Sequence, residues 1–307
     1  MKKIHFSIDV DGFYGAYWEN RQPTKAALIV MIGDDPEDYM ARKCVSWAQK
    51  QGLNVLSMSP AKKDYGHHNY PLERIKVAID WLLAHGNDRV AIVGASTTGM
   101  LALVAAAYFP EITLTIALTP SDFVWQGFMQ GNKDGCKEWP IEGESTVSYQ
   151  GNPLPYMPFV YQHPDYGHEI QSETKGSGDF LRSKKLFDDS ETAHPLTEDE
   201  MIKVENIRGK LLLIGAEDDG LWDTARYIRR MDKRLANRQH YCEYKALVYE
   251  HGTHFVFPES LLRSMLPCSK FMLRFFFQAA KQYPDECQKA RISIETEIAN
   301  AFREWNQ

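Results

Sequence analysis

Cysteine is scarce in this sequence. The 307 residues hold five, Cys44, Cys136, Cys242, Cys268 and Cys287, odd in number and without C-x-x-C spacing. That pattern fits free thiols in a reducing compartment and argues against a disulfide frame or a zinc site. No uncharged apolar run reaches the length that spans a bilayer. The first residues open like a basic leader, but Asp9 and Asp11 interrupt any apolar core, so no signal peptide is read. Long basic runs are also missing and the net charge is −6, which makes nucleic acid an unfavourable partner. Internal repeats and low-complexity segments are absent. These absences predict a cytoplasmic chain with no membrane span. Its composition, 44% hydrophobic and 25% charged, is that of an ordinary globular protein.

Strand-like runs then alternate with helix-like ones. Residues 3–9 and 13–18 flank Asp11-Gly12, a hairpin signal. Residues 26–32 are continuously apolar, as a buried central strand would be. A helix is expected over 36–51 and a strand over 54–58, followed by a polar loop over 60–69. Tyr70-Pro71-Leu72-Glu73 opens an amphipathic helix whose Ile75, Ala78, Ile79, Leu82 and Leu83 share a face. Residues 112–118 read as another buried strand. This rhythm marks a mostly parallel sheet with helices on both faces. It stops at 119–206, rich in aromatics and turn residues, which predicts a cap or lid with short helices inserted into a single 1–307 domain. Strands resume at 210–214 and 243–249, with a helix over 224–235 between them. Helix is expected over 258–282 and 284–305.

One junction carries the chemistry. Residues 89–95 are strand-like, 100–109 helix-like, and Gly94-Ala95-Ser96-Thr97-Thr98-Gly99 lies between. A serine on a sharp strand-to-helix turn is a nucleophile elbow, where a weak hydroxyl stands exposed to a base. The usual pattern is G-x-S-x-G; here Thr98 takes the last position and the glycine moves to Gly99. The alternative role for Ser96 is an ordinary helix N-cap.

A serine nucleophile needs a base, and the base needs an orienting carboxylate. Two loops after expected strands offer them in the chain order Ser, Asp, His. The first is Glu217-Asp218-Asp219-Gly220-Leu221-Trp222, with Asp219 the preferred acid, Asp218 second and Asp223 third. The second is His251-Gly252-Thr253-His254, with His254 the preferred base and His251 the alternative. The H-x-x-H spacing lacks helical i, i+4 geometry and a third ligand, so neither a metal nor a cofactor is expected. The backbone N–H of Thr97 is one candidate oxyanion donor, and Gly33 or Asp34, after the 26–32 strand, is the other. Phe123, Trp125, Tyr156 and Trp222 are candidate pocket residues, with a small core of the cap as their alternative role.

These motifs together resemble the C-terminal domain shared by acyl-CoA thioesterases and bile-acid-CoA:amino-acid N-acyltransferase. The resemblance runs from Ala26 onward through Tyr70-Pro71-Leu72-Glu73, Trp81-Leu82-Leu83, Gly94-Ala95-Ser96, Phe109-Pro110-Glu111-Ile112-Thr113, Glu217-Asp218-Asp219 with Trp222, Gly252-Thr253-His254 and the final helix. It implies an α/β-hydrolase fold with Ser96, Asp219 and His254 as a catalytic triad acting on a small-molecule acyl thioester or ester. Animal members carry an additional N-terminal β-sandwich where this chain has a hairpin. The amidating transferase uses cysteine as nucleophile, so Ser96 resembles the hydrolytic branch. The substrate expectation is therefore acyl-CoA thioesterase-like, with carboxylesterase or dienelactone-type hydrolysis as the alternative, and a ligand-binding scaffold without catalysis beyond that.

Overall fold

The computed structural model describes residues 3–32, 35–59, 66–130 and 138–307. The chain opens with β1 (Lys3–Phe6) and β2 (Gly15–Trp18), paired antiparallel from Lys3↔Trp18 to Phe6↔Gly15. Their connection is longer than the Asp-Gly signal suggested. Asp11 accepts the Ser7 N–H through its side chain at 2.8 Å, and residues 8–11 wind into a single helical turn, α1 (Ile8–Asp11). Gly12 ends that turn at φ 79°, a left-handed conformation that glycine adopts without steric cost.

Next come β3 (Ala26–Met31), α2 (Tyr39–Lys50), β4 (Asn54–Met58), the short β5 (Gly66–His67) and β6 (Tyr70–Pro71), and α3 (Glu73–Ala84). The helix α3 starts three residues later than the sequence suggests because Tyr70 and Pro71 pair with strand residues Val147 and Ser148. Then follow β7 (Arg89–Ala95), α4 (Thr97–Tyr108) and β8 (Ile112–Leu118).

Residues 119–206 contain more strand than the sequence suggests. They form β9 (Gln126–Gln130), β10 (Glu138–Ser145), β11 (Val147–Tyr149) and β12 (Asn152–Pro153), then α5 (Asp165–Thr174) and α6 (Lys184–Ala193). Two small sheets result, in orders β10-β9-β5 and β12-β11-β6. Each borrows one strand from residues 66–71, while β9 pairs with β10 and β11 with β12 in pieces that are short or shifted in register, which leaves no periodic trace in 119–206.

The alternation then resumes with β13 (Arg208–Ala216), α7 (Thr224–Asn237) and β14 (Tyr241–Tyr249). The last part is α8 (Glu259–Met265), α9 (Ser269–Met272), α10 (Gln278–Gln282) and α11 (Pro284–Trp305). The single helix expected over 258–282 is broken, because Pro267 ends the first piece and Cys268 turns the chain at φ 59°.

The main sheet has eight strands in the order β1-β2-β4-β3-β7-β8-β13-β14. From β4 onward every neighbouring pair is parallel. Alternate residues of β3 feed two cores. Ala27, Ile29 and Met31 pack on the side of α3, α4 and α7, whereas Leu28 and Val30 pack on the side of α2, α8 and α11. A strand buried on both faces must be apolar throughout, which is why 26–32 shows no polar alternation. The helix α4 is buried from Gly99 to Ala106 and is apolar all round, as a central helix requires. Cys44, Cys242, Cys268 and Cys287 are free thiols. Among the described residues no helix is long and apolar enough to cross a membrane.

Residues 119–206 are tied to the main sheet by charge as well as by packing. Arg230 on α7 donates two hydrogen bonds to Asp122 at 2.7 and 2.6 Å and a third to Glu191 of α6 at 2.5 Å. Burial pushes the Asp122 carboxyl up to about 6, and the Arg230 guanidinium opposes that shift. Losing Arg230 would strand a buried carboxylate, a strongly destabilising change.

Candidate active site

Ser96 lies where β7 turns into α4, at the centre of the parallel sheet. β3 and β8 flank β7, with Met31 opposite Gly94 and Leu118 opposite Ala95. The Ser96 backbone is in a strained conformation, φ 61° and ψ −128°. Strain of this kind costs about 1–3 kcal/mol and persists only where the surroundings enforce it. Here they do. The Ser96 N–H donates to Leu118 O at 2.8 Å, and the Ser96 carbonyl accepts from Gly99 and Met100 N–H at 2.9 and 3.1 Å.

The glycines at this junction answer to close backbone approaches. A Cβ on Gly94 would sit 2.0 Å from the Thr98 carbonyl oxygen, and one on Gly99 would sit 2.8 Å from that of Leu118. Gly99 therefore meets a requirement of helix-to-strand packing. Thr98 departs from the elbow pattern by filling its place with bonds. Its hydroxyl lies 2.6 Å from Met31 O and 2.8 Å from Ala95 O, and it accepts the Ala95 N–H at 3.0 Å. The side chain thus ties the elbow to the end of β3. The expected second oxyanion donors, Gly33 and Asp34, lie outside the described residues. Thr97 is the first residue of α4, and a helix start leaves its leading N–H groups without intrahelical partners.

The three acidic candidates have three different partners. Asp219 is buried, and its two carboxylate oxygens lie 3.0 and 2.8 Å from His254 Nδ1. The same carboxylate accepts the Leu221 N–H at 2.9 Å and the Thr224 hydroxyl. Asp218 turns to the other loop. Its Oδ1 accepts the Gly252 and Thr253 N–H groups at 3.0 and 2.7 Å, and its Oδ2 lies 3.2 Å from His251 Nδ1. Asp223 caps α7 by accepting the Arg226 N–H at 3.0 Å, and it pairs with Lys184. The two histidines that suggested a metal motif are thus held by separate aspartates.

His254 is 7% exposed. With Nδ1 on Asp219, its Nε2 is buried and has no hydrogen-bond partner among the described residues, so the structure joins His254 to Asp219 but does not hydrogen-bond it to Ser96 Oγ. An imidazole held at one nitrogen by a carboxylate and free at the other is set to accept a proton at the free one. Its loop is positioned by Asp218 and by Thr253, which sits at φ 60° and whose hydroxyl accepts the Phe255 N–H at 3.1 Å. Gly252 admits the loop against β13, since a Cβ there would lie 2.9 Å from that of Ala216. His251 stacks on Tyr283 with centroids 3.7 Å apart.

Trp222 meets the His254 ring edge-on at 4.8 Å and donates its indole N–H to Thr119 O at 3.2 Å. Behind it lie Trp125 and Phe187, at 4.9 and 5.2 Å. Phe123 and Trp125 are buried in this aromatic cluster, and Tyr156 is half-buried against the same side of the core. Sequence reasoning missed a cleft of about 1140 Å³, lined by Trp139, Ile170, Phe180 and Leu181 with His163 and Lys175. The Ser183 N–H, two residues from Leu181, donates to Gly220 O at 3.1 Å, which joins the cleft wall to the loop of Asp219.

A large, mostly parallel sheet flanked by helices, with a strained serine at the turn from its central strand into a buried helix, defines an α/β-hydrolase. The chain belongs to the BAAT / acyl-CoA thioester hydrolase C-terminal family, whose profile matches residues 71–262. No curated protein sequence matches it. Among solved structures, the Pyrococcus furiosus esterase Pf2001 aligns at a TM-score of 0.50 and 13% identity, covering 96% of this chain and 88% of that one. A Klebsiella pneumoniae protein described as a dienelactone hydrolase aligns at a TM-score of 0.48 and 11% identity, covering 99% and 98%. At 13% identity the likeness to the Pyrococcus furiosus esterase is one of fold.

Proposed function

We propose that the chain is a serine hydrolase that cleaves an acyl thioester, and more slowly an ester, through Ser96, His254 and Asp219. The observation that carries this reading is the state of His254, bonded to both oxygens of buried Asp219 at Nδ1 and unpartnered at Nε2. In the proposed sequence Ser96 Oγ attacks the acyl carbonyl while His254 Nε2 takes its proton. Asp219 holds the imidazole tautomer and stabilises the charged ring. The tetrahedral oxyanion is met by the Thr97 N–H, with Gly33 or Asp34 as the second donor. His254 then returns the proton to the leaving thiol or alcohol. Water, activated by the same imidazole, attacks the acyl-enzyme and regenerates Ser96.

In this reading residues 119–206 act as a cap, and the cleft of about 1140 Å³ takes the apolar part of the substrate. Its size suits a ligand with an extended apolar group, and Leu181 and Ser183 connect it to the Asp219 loop. The thioester preference rests on family membership. A panel of acyl-CoA thioesters of graded chain length, run beside matched p-nitrophenyl esters, tests it. The expected result is a kcat/KM about tenfold or more higher for the thioesters. Turnover of the esters alone would make the chain a carboxylesterase.

A further inference from the structure

Charge is segregated in one stretch of this acidic chain. Residues 260–284 contain no aspartate or glutamate, although the whole chain has 41 of them. The same stretch carries Arg263, Lys270, Arg274 and Lys281. Arg263, Arg274 and Lys281 have no ion-pair partner among the described residues, whereas Lys270 pairs with Asp285. Arg263, Lys270, Phe271 and Arg274 line one shallow cleft of about 350 Å³.

Exposed phenyl rings accompany these cations. Phe271 is 56% exposed and Phe275 67%, with ring centroids 5.1 Å apart. Phe180 is 61% exposed, packs edge-on to Phe276 at 5.9 Å, and donates its N–H to the Phe276 carbonyl at 2.7 Å. Isolated exposed apolar residues are common, but clustered phenyls beside unpaired cations mark an interaction surface.

We propose that this face docks on an anionic lipid surface, with Phe271 and Phe275 at the acyl boundary and the cations at headgroup phosphates. Both halves of the chemistry are needed for reversible attachment, apolar burial for strength and cations for attraction to anionic lipid. A second copy of the chain fits less well. A two-fold interface sets a patch against itself, which would oppose the three unpaired cations to their own copies with no carboxylate in the stretch to compensate. The net charge of −6 repels an anionic bilayer, so a bound chain presents this basic face to it. Phe180 lines the large cleft and packs on Phe276, next in sequence to Phe275, which gives a lipid-dissolved ester a route from the docked face to the cleft. That passage rests on the hydrolase reading; the docking does not.

The test is cosedimentation of the full chain with vesicles of phosphatidylcholine, with and without an equal part of phosphatidylglycerol. Wild type is expected to partition onto the phosphatidylglycerol vesicles and to release at high salt. Partitioning is expected to fall roughly tenfold or more in Phe271→Ala/Phe275→Ala and in Arg263→Glu/Arg274→Glu. All four side chains are exposed, and circular dichroism checks that both variants fold. Absence of wild-type partitioning, or two variants that partition like wild type, overturns the proposal. So does a concentration-dependent dimer that the phenylalanine variant dissociates while vesicles stay unoccupied, which would assign the face to self-association. Ser96→Ala should bind vesicles as wild type does, so failure of docking and failure of the hydrolase reading are separable.

Discussion

Ser96→Ala should lower kcat by about 10⁴-fold or more, with KM and the fold little changed. The size follows from the proposed role, because without the hydroxyl no acyl-enzyme forms and only polarisation of the carbonyl remains. A second substitution at the same site separates chemistry from strain. Ser96 holds φ 61° with a Cβ present, so Ser96→Ala keeps the strain. Ser96→Gly releases it and should stabilise the protein by about 1 kcal/mol while losing the same activity. Thermal unfolding beside steady-state kinetics checks both. A Ser96→Ala variant that turns over like wild type would remove the serine from the mechanism.

Asp219→Asn should reduce kcat by about 10⁴-fold, because an amide in place of the carboxylate can hold the wrong imidazole tautomer and cannot stabilise the charged ring. Asp218→Asn should cost about tenfold or less. It keeps an oxygen for the Gly252 and Thr253 N–H groups, which position the His254 loop from a separate carboxylate. The contrast between adjacent residues is the informative part. Comparable losses at both positions would place the base orienter elsewhere or divide it between the two. Kinetics of the two variants on one substrate, with circular dichroism to verify folding, give the answer.

How much of this was legible in the sequence depends on where each signal resides. The buried strands β3, β4 and β8 announce themselves through local apolar composition, and β8 ends where the sequence puts it, because Phe109-Pro110 and Thr119-Pro120 bracket it. The helix α11 is equally plain, with Pro284 at its first position. The strands of 119–206 are hidden because β11 and β12 are only three and two residues long, the β9–β10 pairing shifts register between Pro140 and Ser145, and the remaining partners, β5 and β6, are two-residue strands from 66–71. The N-terminal turn was missed because a side-chain bond from Asp11 to the Ser7 N–H, invisible to hydropathy, closes it.

The candidate site divides in the same way. The order of Ser96, the 217–223 loop and the 251–254 loop is a property of the sequence, and so is the turn that offers the serine. Which carboxylate faces which histidine is a property of the loops in space. Asp218 and Asp219 point to opposite partners, and no composition rule separates neighbours of identical type. Thr98 is similar. Its awkwardness at a crowded turn is readable, but its bonds to Met31 and Ala95 exist only once β3 lies beside β7.

The most direct test of the central claim is reaction of the folded chain with a fluorophosphonate, read by intact mass and peptide mapping. A nucleophile activated by His254 should give one adduct, on Ser96, and none in His254→Gln. An adduct on another residue, or a folded wild-type chain that stays unlabelled, would contradict the account.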